Sequence, residues 1–524
     1  MTVKPAPRTP TPARRLLARI LDEPRLVGAV RSLEPRALLR LIHRIGLEDA
    51  GEIIALATVD QLVRVFDDDL WRSERPGEDE RFDPARFVVW LEVMLEAGDA
   101  FAADKLAEVS EDLVTLALHH HVLVVNLDEL ALQMSERPDD DGDDEQLDKA
   151  LEGAPYHEFG EYRVIARRHD GWDAIVAVLA ALDERHADAL QRILARLCWA
   201  SSEYIDDNGG LYAVLTSEDM LDADAAAERG DRRAEAGFVA PSSAAAFLEL
   251  ARTGDVDAVL AEPDRDPTTR AYFRGYRAEA AAAERRAAEA SERAAKLLDL
   301  PGDAEAAPTR RTALLDGARS DPATLLARAL GELSARDAGR HDERMHELGY
   351  LANVLLAGAG RDGRRLRPVE ASETALATCN LGLERVLGAA PAAAVDRLAR
   401  TGCDKLFRIG VRALHDEVAR PAAAAVERTA ERLAHAAGDA PRRAVLTRLA
   451  DAARAAQAAG GRPATLRSRL APLDGELPPE TLAGLGALLD DVPAPRGEGA
   501  AAREPIATSA QLLRARAWLD RHVR

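Results

Sequence analysis

Apolar side chains in the first part of the chain recur at three- and four-residue spacings, the pattern of helices that each bury one face. The first run follows the Glu34-Pro35 pair and consists of Leu38, Leu39, Leu41, Ile42 and Ile45. Proline suits the first turn of a helix because it lacks the N–H group that this turn leaves without a helical partner. Gly46 interrupts the run, and Thr58 lies where its side chain can cap the next helix. The pattern predicts a series of short, separately capped helices.

The same arrangement returns about fifty residues later along the chain. The Asp83-Pro84 pair precedes a second apolar run, made of Phe87, Val88, Trp90, Leu91, Met94 and Leu95. Gly98 interrupts this run, Ser110 is placed as the next cap, and a more diverged copy extends from Trp172 to Leu194. Repeats of helix pairs bury their faces against neighbouring repeats. We therefore predict an all-α protein whose N-terminal half is a helical-repeat, superhelical array and whose C-terminal half is also helical.

A short segment of the first half has the two-residue period of strands. Residues 122–127 are rich in valine and leucine, and residues 156–165 alternate in polarity about Gly160. An acidic stretch, residues 138–145, joins the two. This predicts a small β insertion near residues 122–166.

Composition shifts predict the domain organisation. The expected segments are a disordered tail at 1–13, helical repeats with the β insertion at 14–200, a helical connector with a long alanine-rich helix at 201–300, a C-terminal helical domain at 309–490, a linker at 491–507 and a terminal helix at 508–524.

Composition and charge narrow the function classes. The 524 residues include 69 Lys+Arg and 90 Asp+Glu, a formal net charge of -21, which argues against binding to duplex DNA or an anionic membrane. Aromatic residues make up 4%, too few to favour a stacking-based nucleic-acid binder. The 3 cysteines lack paired spacing, which favours a reducing compartment. With no apolar run of about 18 residues and no secretory leader, we predict a cytoplasmic protein without a membrane span.

One glycine-rich string resembles a nucleotide-binding motif. Residues 358–363 match G-x-G-x-x-G, but the motif needs a preceding strand and a following helix, and here a helical run precedes it. A helix end and loop is the better interpretation. The surrounding arginines, Arg361, Arg364, Arg365 and Arg367, are candidate contacts for an anionic partner or phosphate, with a solvated loop as the alternative.

No cofactor or metal site is predicted. The histidines at 119–121 fall at a predicted helix end and lack spaced ligands, and Glu343-x-x-His346 lacks the second copy that a di-iron bundle needs. The acidic loop 139–145 fails the EF-hand pattern, and whether it binds a divalent cation stays open. Cys379 lies in a helical stretch and is interpreted as a buried apolar residue.

Two resemblances follow from these segments. Leu33-Glu34-Pro35 with residues 58–62 (TVDQL), repeated from Phe82, resembles the superhelical cytoplasmic N-domain of MgtE-type magnesium transporters, to which a module of flagellar motor switch proteins is related. The resemblance covers residues 30–120 and implies a superhelix. In the transporters this domain helps to sense magnesium, a function that does not carry over to a chain without a membrane segment.

The chain as a whole is similar to a family of bacterial proteins of unknown function. The similar stretches are residues 46–50 (GLEDA), 236–238 (AGF) with Pro241, 347–355 (ELGYLANVL) and 379–384 (CNLGLE). The resemblance covers most of the length and implies no activity, cofactor or catalytic residue.

From the repeats we expect a non-catalytic scaffold or regulatory adaptor that binds a protein partner. Trp71 and Arg72 are candidate contacts because tryptophan and arginine are favoured interface anchors, whereas Trp90 lies within an apolar run and is expected in the core. The alternative is an enzyme or a small-ligand or divalent-cation sensor with a pocket in the C-terminal half, using Glu343, His346, Arg364, Arg365 and Cys379. The partner's identity and the oligomeric state stay open.

Overall fold

The computed structural model describes residues 17, 20–21, 23–73, 77–127, 154–206, 217–262, 265–274, 293, 324–388, 391–458, 460–495 and 503–523. These residues are mostly helical and include only small antiparallel sheets, which confirms the predicted all-α class with a small β insertion. The chain divides into two compact units. The N-terminal unit holds Met1–Arg72, Arg81–Arg232 and Ala278–Gly302, and the C-terminal unit holds Ser73–Glu80, Arg233–Arg277 and Asp303–Arg524.

The helices of the N-terminal unit are mostly short. They are α1 (Leu26–Ser32), α2 (Pro35–Ile45), α3 (Gly51–Leu56), α4 (Val59–Asp69), α5 (Pro84–Glu96), α6 (Asp99–Glu108), α7 (Glu111–His119), α8 (Trp172–Asp206) and α9 (Ser217–Glu235), whose last residues belong to the C-terminal unit. The long α8 is bent at His186, whose backbone has φ -138° and ψ 46°. Its two arms pack across α5, α6, α7 and the β insertion.

The predicted helix starts of the repeats are confirmed. Pro35 and Pro84 occupy the first turns of α2 and α5. At α4, Thr58 Oγ1 accepts from the backbone N–H of Gln61 at 3.2 Å, while the Thr58 N–H donates to Gln61 Oε1 at 3.0 Å. Ser110 Oγ accepts from the N–H of Asp112 at 3.2 Å and caps α7. Side chains thus satisfy backbone donors that a helix cannot pair itself.

Asp69, at the end of α4, organises the core between the repeats. Its carboxylate accepts from Trp90 Nε1 at 2.6 Å and Arg86 Nε at 2.8 Å, and it lies 2.8 Å from His43 Nε2. Burial alone would raise the pKa of this carboxyl, but the three hydrogen bonds hold it well below its usual range. Trp90 is fully buried and meets Phe66 edge-on, so its predicted core position is confirmed.

The predicted β insertion is a three-stranded antiparallel sheet in the order β3-β5-β4, where β3 is Val122–Asn126, β4 is Tyr156–Phe159 and β5 is Tyr162–Ala166. Gly160 has φ 60° and makes the turn from β4 to β5. A two-residue pairing of β1 (Trp71–Arg72) with β2 (Arg81–Phe82) lies earlier in the chain. This pair was not predicted from the sequence, because two residues are too few to show the alternating polarity of a strand. The acidic loop 139–145 lies outside the described residues.

The C-terminal unit combines helices of 6 to 8 residues with longer ones of up to 21 residues. They are α10 (Pro241–Thr253), α11 (Val256–Ala261), α12 (Pro267–Arg274), α13 (Leu325–Arg336), α14 (Ala338–Gly358), α15 (Pro368–Leu387), α16 (Ala394–Arg400), α17 (Cys403–Leu414), α18 (Arg420–Ala436), α19 (Ala440–Gln457), α20 (Pro479–Leu489) and α21 (Ser509–His522). A hairpin of β6 (Gly360–Arg361) and β7 (Arg364–Arg365) separates α14 from α15. The predicted tail at 1–13 lies outside the described residues, as do residues 275–292 and 294–300 of the predicted connector with its alanine-rich helix.

Helices α15 and α17 cross with their backbones in direct contact. A β-carbon at Gly382 of α15 would overlap the carbonyl oxygen of Leu406, and one at Gly410 of α17 would overlap the carbonyl oxygen of Thr378. Each helix therefore has a glycine at the point where the other's backbone passes. The crossing brings the buried side chain of Cys379 to the first turn of α17, where its Sγ donates to the Cys403 carbonyl at 3.5 Å.

We expect Gly382→Ala and Gly410→Ala each to destabilise the C-terminal unit by ~1–3 kcal/mol or more, since the methyl group must push two helices apart. Gly331→Ala, in α13, is the matched control: its β-carbon would have no neighbour within 4 Å, so this helix-favouring change should stabilise by ~0.5–1 kcal/mol. Urea unfolding followed by circular dichroism measures all three. Unchanged midpoints for the first two variants would show that the crossing does not need glycine.

Candidate functional site

An open cleft of about 440 Å³ lies in the C-terminal unit. One wall is the start of α14, where Gly339, Asp342, Glu343 and His346 fall at helical spacings and so share a face. Arg265, just before α12, and Phe273, within α12, form the opposite wall. The cleft thus combines an aromatic ring with several charged groups, and its volume is in the range of small-molecule sites.

Arg265 connects the cleft with the interior. Its Nη2 donates to Glu343 Oε1 at 2.9 Å, at the cleft wall, and to Glu347 Oε1 at 2.7 Å, below it. The guanidinium lies over the Phe273 ring, 4.5 Å from the ring centroid. Stacking on the ring and two ion pairs together fix the plane of the guanidinium.

Glu347, one helical turn beyond Glu343, is completely buried and fully bonded. Its Oε2 accepts from Arg344 Nη1 and from the backbone N–H of Cys403, the latter at 2.7 Å. That N–H belongs to the first turn of α17, so the carboxylate caps a helix N-terminus. Burial alone lowers the pKa of Arg344, but the adjacent Glu347 carboxylate raises it above the usual value. Arg344 therefore stays charged beneath the cleft.

Two more buried carboxylates lie beside this ion pair. Asp266 accepts from the N–H of Thr269 at 3.0 Å and from its Oγ1 at 2.6 Å. Asp404, 1% exposed, has an Oδ2 without a hydrogen-bond partner among the described residues. Burial, reinforced by the charge of Glu347, raises the pKa of Asp404 to about 6. Arg265 and Arg344 are both paired with Glu347, and the proton on Asp404 keeps this carboxyl from adding an unpaired negative charge beside them.

The stability of the C-terminal unit should depend on this proton. Because the pKa of Asp404 is raised to about 6 by folding, the stability that its protonated form contributes is complete below about pH 4 and is lost as the pH rises through 6. Asp404→Asn removes the charge at every pH. We expect the free energy of unfolding of this variant, relative to wild type, to increase by ~2–3 kcal/mol between pH 4 and pH 8.

Urea unfolding at a series of pH values measures the difference. Thr429→Val, buried in α18, is the control because it removes no ionisable group, so its difference from wild type should not vary with pH. A pH-independent difference for Asp404→Asn would contradict the buried proton.

The structure brings together only part of the set predicted for a C-terminal pocket. Glu343 and His346 line the cleft, and His346 Nδ1 lies 2.7 Å from the Asp342 carbonyl oxygen. Cys379 is fully buried at the α15–α17 crossing, and Arg364 and Arg365 lie in the β6–β7 hairpin. Arg265, Phe273 and Asp404 were not predicted from the sequence as site residues. Arg265 is 82 residues from Glu347 in the chain, so no local sequence pattern indicates that the two side chains meet.

The four arginines predicted as anion contacts are engaged with neighbouring residues. Arg361 is buried and donates to Thr374 Oγ1 at 3.1 Å, and Arg364 holds both oxygens of Glu370 at 2.6 and 2.7 Å. Glu370 also accepts from the N–H of Arg367 at 2.8 Å. Burial raises the pKa of Glu370, but the Arg364 hydrogen bonds and the other cationic neighbours lower it to about 2. Arg365 Nη1 donates to Glu80 Oε1 at 3.0 Å. Binding of an external anion to these groups stays a prediction.

The glycine-rich string at 358–363 is the end of α14 and the β6–β7 hairpin, in agreement with its interpretation as a helix end. Asp362 and Gly363, at the hairpin turn, have φ values of 57° and 75°. Two consecutive positive φ angles are those of a type I′ turn, which favours Asp-Gly. The predicted loop is therefore a short hairpin, and a helix precedes the glycines where a nucleotide-binding motif has a strand.

The candidate partner contacts Trp71 and Arg72 differ in exposure. Trp71 is 6% exposed and lies beneath the guanidinium of Arg229, 4.8 Å from its ring centroid. Arg72 is largely exposed, and its Nε lies 3.1 Å from Asp83 Oδ2. Contact of either residue with a partner stays a prediction.

Metal and membrane features can be stated for the described part of the chain only. There, no group of three or more His, Cys, Asp or Glu side chains is placed to hold a metal ion. His121, the last of the three histidines, is buried with Nε2 3.1 Å from the Pro84 carbonyl oxygen, and burial lowers its pKa. The described helices include none with the length and apolarity that a bilayer crossing requires.

Comparison with known proteins gives one match. The profile of a family of unknown function (DUF6178) matches residues 9–208 and 273–467, well over half of the chain. No curated protein and no solved structure matches. The resemblance of the first repeats to the magnesium-transporter N-domain is not confirmed by these comparisons.

Proposed function

The chain belongs to the DUF6178 family, a family of unknown function, and we propose that it is a non-catalytic regulatory protein that binds a small ligand in the cleft of its C-terminal unit. The observation that carries the proposal is the convergence of Arg265, Phe273, Glu343 and His346 on one cavity of about 440 Å³. A cavity of this size with an apolar ring and a few fixed polar groups is typical of small-molecule sites.

The hydrogen bonding of the charged groups favours binding over bond-breaking chemistry. Both oxygens of Glu343 are in ion pairs, Oε1 with Arg265 and Oε2 with Arg340 at 2.8 Å. The oxygens of Glu347 accept hydrogen bonds from Arg265, from Arg344 and from the N-terminus of α17. A general base needs a lone pair directed at the substrate proton. These carboxylates direct theirs at guanidiniums, which orients the arginines of the cleft.

The same contacts offer a route from ligand binding to a change elsewhere in the unit. Arg265 contacts both the cleft wall and Glu347, and Glu347 caps α17. A ligand that binds Arg265 and shifts its guanidinium alters the pair with Glu347 and thereby the anchoring of that helix, which packs against α15 along the glycine crossing. A ligand can shift an equilibrium only by its differential affinity for the two states, and Arg265 supplies that difference.

The proposal is tested by screening small metabolites for thermal stabilisation of the full chain. A ligand at about 100 times its Kd stabilises the folded state by ~2.7 kcal/mol, a readily measured shift in melting temperature. Gly339→Leu is the diagnostic variant, because Gly339 lines the cleft and its β-carbon would meet only Asp337 Oδ1, at 3.6 Å. The leucine should fill the cleft without disturbing the fold and abolish the stabilisation.

Gly331→Leu is the matched control, since this glycine lies exposed on α13 with no atom within 4 Å of its β-carbon. It should respond to ligands as wild type does. If a compound still stabilises the Gly339→Leu variant, or if no compound stabilises the wild-type protein, the cleft is not a ligand site.

A scaffold function for the N-terminal unit is a second candidate, supported by large side chains that this unit exposes. Trp199, on α8, is 53% exposed, and the Arg72 side chain is 66% exposed. Tryptophan and arginine are the residues on which protein interfaces most often depend. We propose that a cytoplasmic protein partner binds this unit through these residues.

The scaffold proposal predicts that Trp199→Ser and Arg72→Ala each weaken a purified partner's binding by ~2 kcal/mol or more, about thirtyfold in Kd. The partner is first identified by co-purification at native salt and then titrated against the full chain. Leu513→Ser, which changes an exposed apolar residue of α21, is the control. If neither Trp199→Ser nor Arg72→Ala changes the affinity, the N-terminal unit does not bind the partner in this way.

A further inference from the structure

We infer that the cleft ligand is a small carboxylate with an apolar body, an assignment that rests on the proposed function of the cleft. The carboxylate would pair with Arg265, and the apolar body would contact Phe273. Three features of Arg265 support this assignment: its unused donors, the orientation of its guanidinium and the ion pairs around it.

The donors of Arg265 are unevenly used. Its ion pairs with Glu343 and Glu347 both involve Nη2. Among the described residues, Nε and Nη1 have no hydrogen-bond partner, although the side chain is 29% exposed and lines the cleft. A guanidinium presents five N–H donors in a plane, so donors remain for an incoming acceptor. Nε and Nη1 point to different edges of the guanidinium, because each of its parallel N–H pairs includes the occupied Nη2, so a carboxylate would accept one charge-assisted hydrogen bond from Nε or from Nη1.

Phe273 holds the guanidinium of Arg265 in place. The guanidinium lies over the ring at 4.5 Å from its centroid, which limits rotation of the charged plane before any ligand arrives. Phe273 also packs against Tyr272 and Tyr350, at centroid distances of 5.1 and 5.7 Å, so the ring itself is fixed. In the cleft, the Phe273 ring offers an apolar surface next to the charged donors of Arg265. A ligand that uses both groups must join a charged end to an apolar body.

Ion pairing at the cleft wall, rather than net charge, favours an anion over a cation. Three guanidiniums, those of Arg265, Arg340 and Arg344, share the carboxylates of Glu343 and Glu347. A cationic ligand would have to displace an arginine to reach Glu343. An anion instead completes the coordination of Arg265 without breaking an existing pair. Asp342, the other acid of the lining, has a 74% exposed side chain, where solvent screens its charge.

Three probes of matched size separate the possibilities: benzoate, benzyl alcohol and benzylamine. They share one ring and differ in the charge of the substituent. Calorimetric titration of the full chain should give benzoate an affinity about tenfold or more higher than that of benzyl alcohol, because a charge-assisted pair is stronger than a neutral hydrogen bond. Benzylamine should bind more weakly than the alcohol.

Two arginine variants assign the effect to the guanidinium. Arg265→Lys keeps the positive charge and the ion pairs within reach but loses the Nε and Nη1 donors, and it should lower the benzoate affinity about fivefold or more. Arg336→Gln removes a charge from the exposed surface of α13 and should leave the benzoate affinity unchanged. The circular dichroism of each variant shows that it is folded.

The outcomes distinguish the two proposals. If benzylamine binds more tightly than benzoate and Gly339→Leu abolishes that binding, the cleft is a ligand site and the carboxylate assignment is wrong. Equal benzoate binding by wild type and Arg265→Lys overturns the assignment to the unused guanidinium donors. If no probe binds and the metabolite screen also yields no ligand that Gly339→Leu excludes, both proposals fail together.

Discussion

The C-terminal unit depends on the backbone contact between α15 and α17, which glycine alone permits at Gly382 and Gly410. Close approach of two helices fixes their angle and offset more tightly than side-chain packing, because backbone atoms cannot rotate away from an overlap. This contact sets the position of the first turn of α17. The Cys403 N–H then lies 2.7 Å from Glu347 Oε2. The packing of the two helices therefore determines where this carboxylate finds a hydrogen-bond donor. The floor of the cleft is therefore determined by glycines outside it.

The buried charges follow from that placement. A carboxylate out of water is costly unless its lone pairs are satisfied, and Glu347 meets this condition with two arginines and a helix N-terminus. Asp404 does not meet it, and the raised pKa is the physical result. Arg265 connects the buried charges with the cleft, since its Nη2 donates both to Glu347 in the interior and to Glu343 at the cleft wall. The chemistry of the cleft and the stability of the unit are thus properties of one ion network.

Local features of the fold could be predicted from the sequence, whereas the site could be predicted only in part. Thr58 and Ser110 lie at helix starts because capping is decided within three residues, and the apolar spacing around Trp90 reports a buried face directly. Glu343 and His346 were recognised as sharing a helical face, a relation of three positions. Arg265 joins them from 78 residues away from Glu343, through tertiary packing that no local pattern encodes. The two-residue strand pairs could not be predicted either, because two residues are too few to show the alternation of polar and apolar positions that marks a strand.

The position of Glu347 in the chain has a consequence for the order of folding. Its contacts span 82 residues back to Arg265 and 56 residues forward to Cys403, whereas the Cys379–Cys403 contact at the helix crossing spans 24. Shorter loops close at a lower entropic cost, so the crossing can form before the ion network does. During synthesis Glu347 emerges with its upstream arginine already made but without the helix end that completes its hydrogen bonds. The chain must hold a charged carboxylate in water until α17 arrives, so the floor of the cleft is completed by a helix that is made after the residues of its walls.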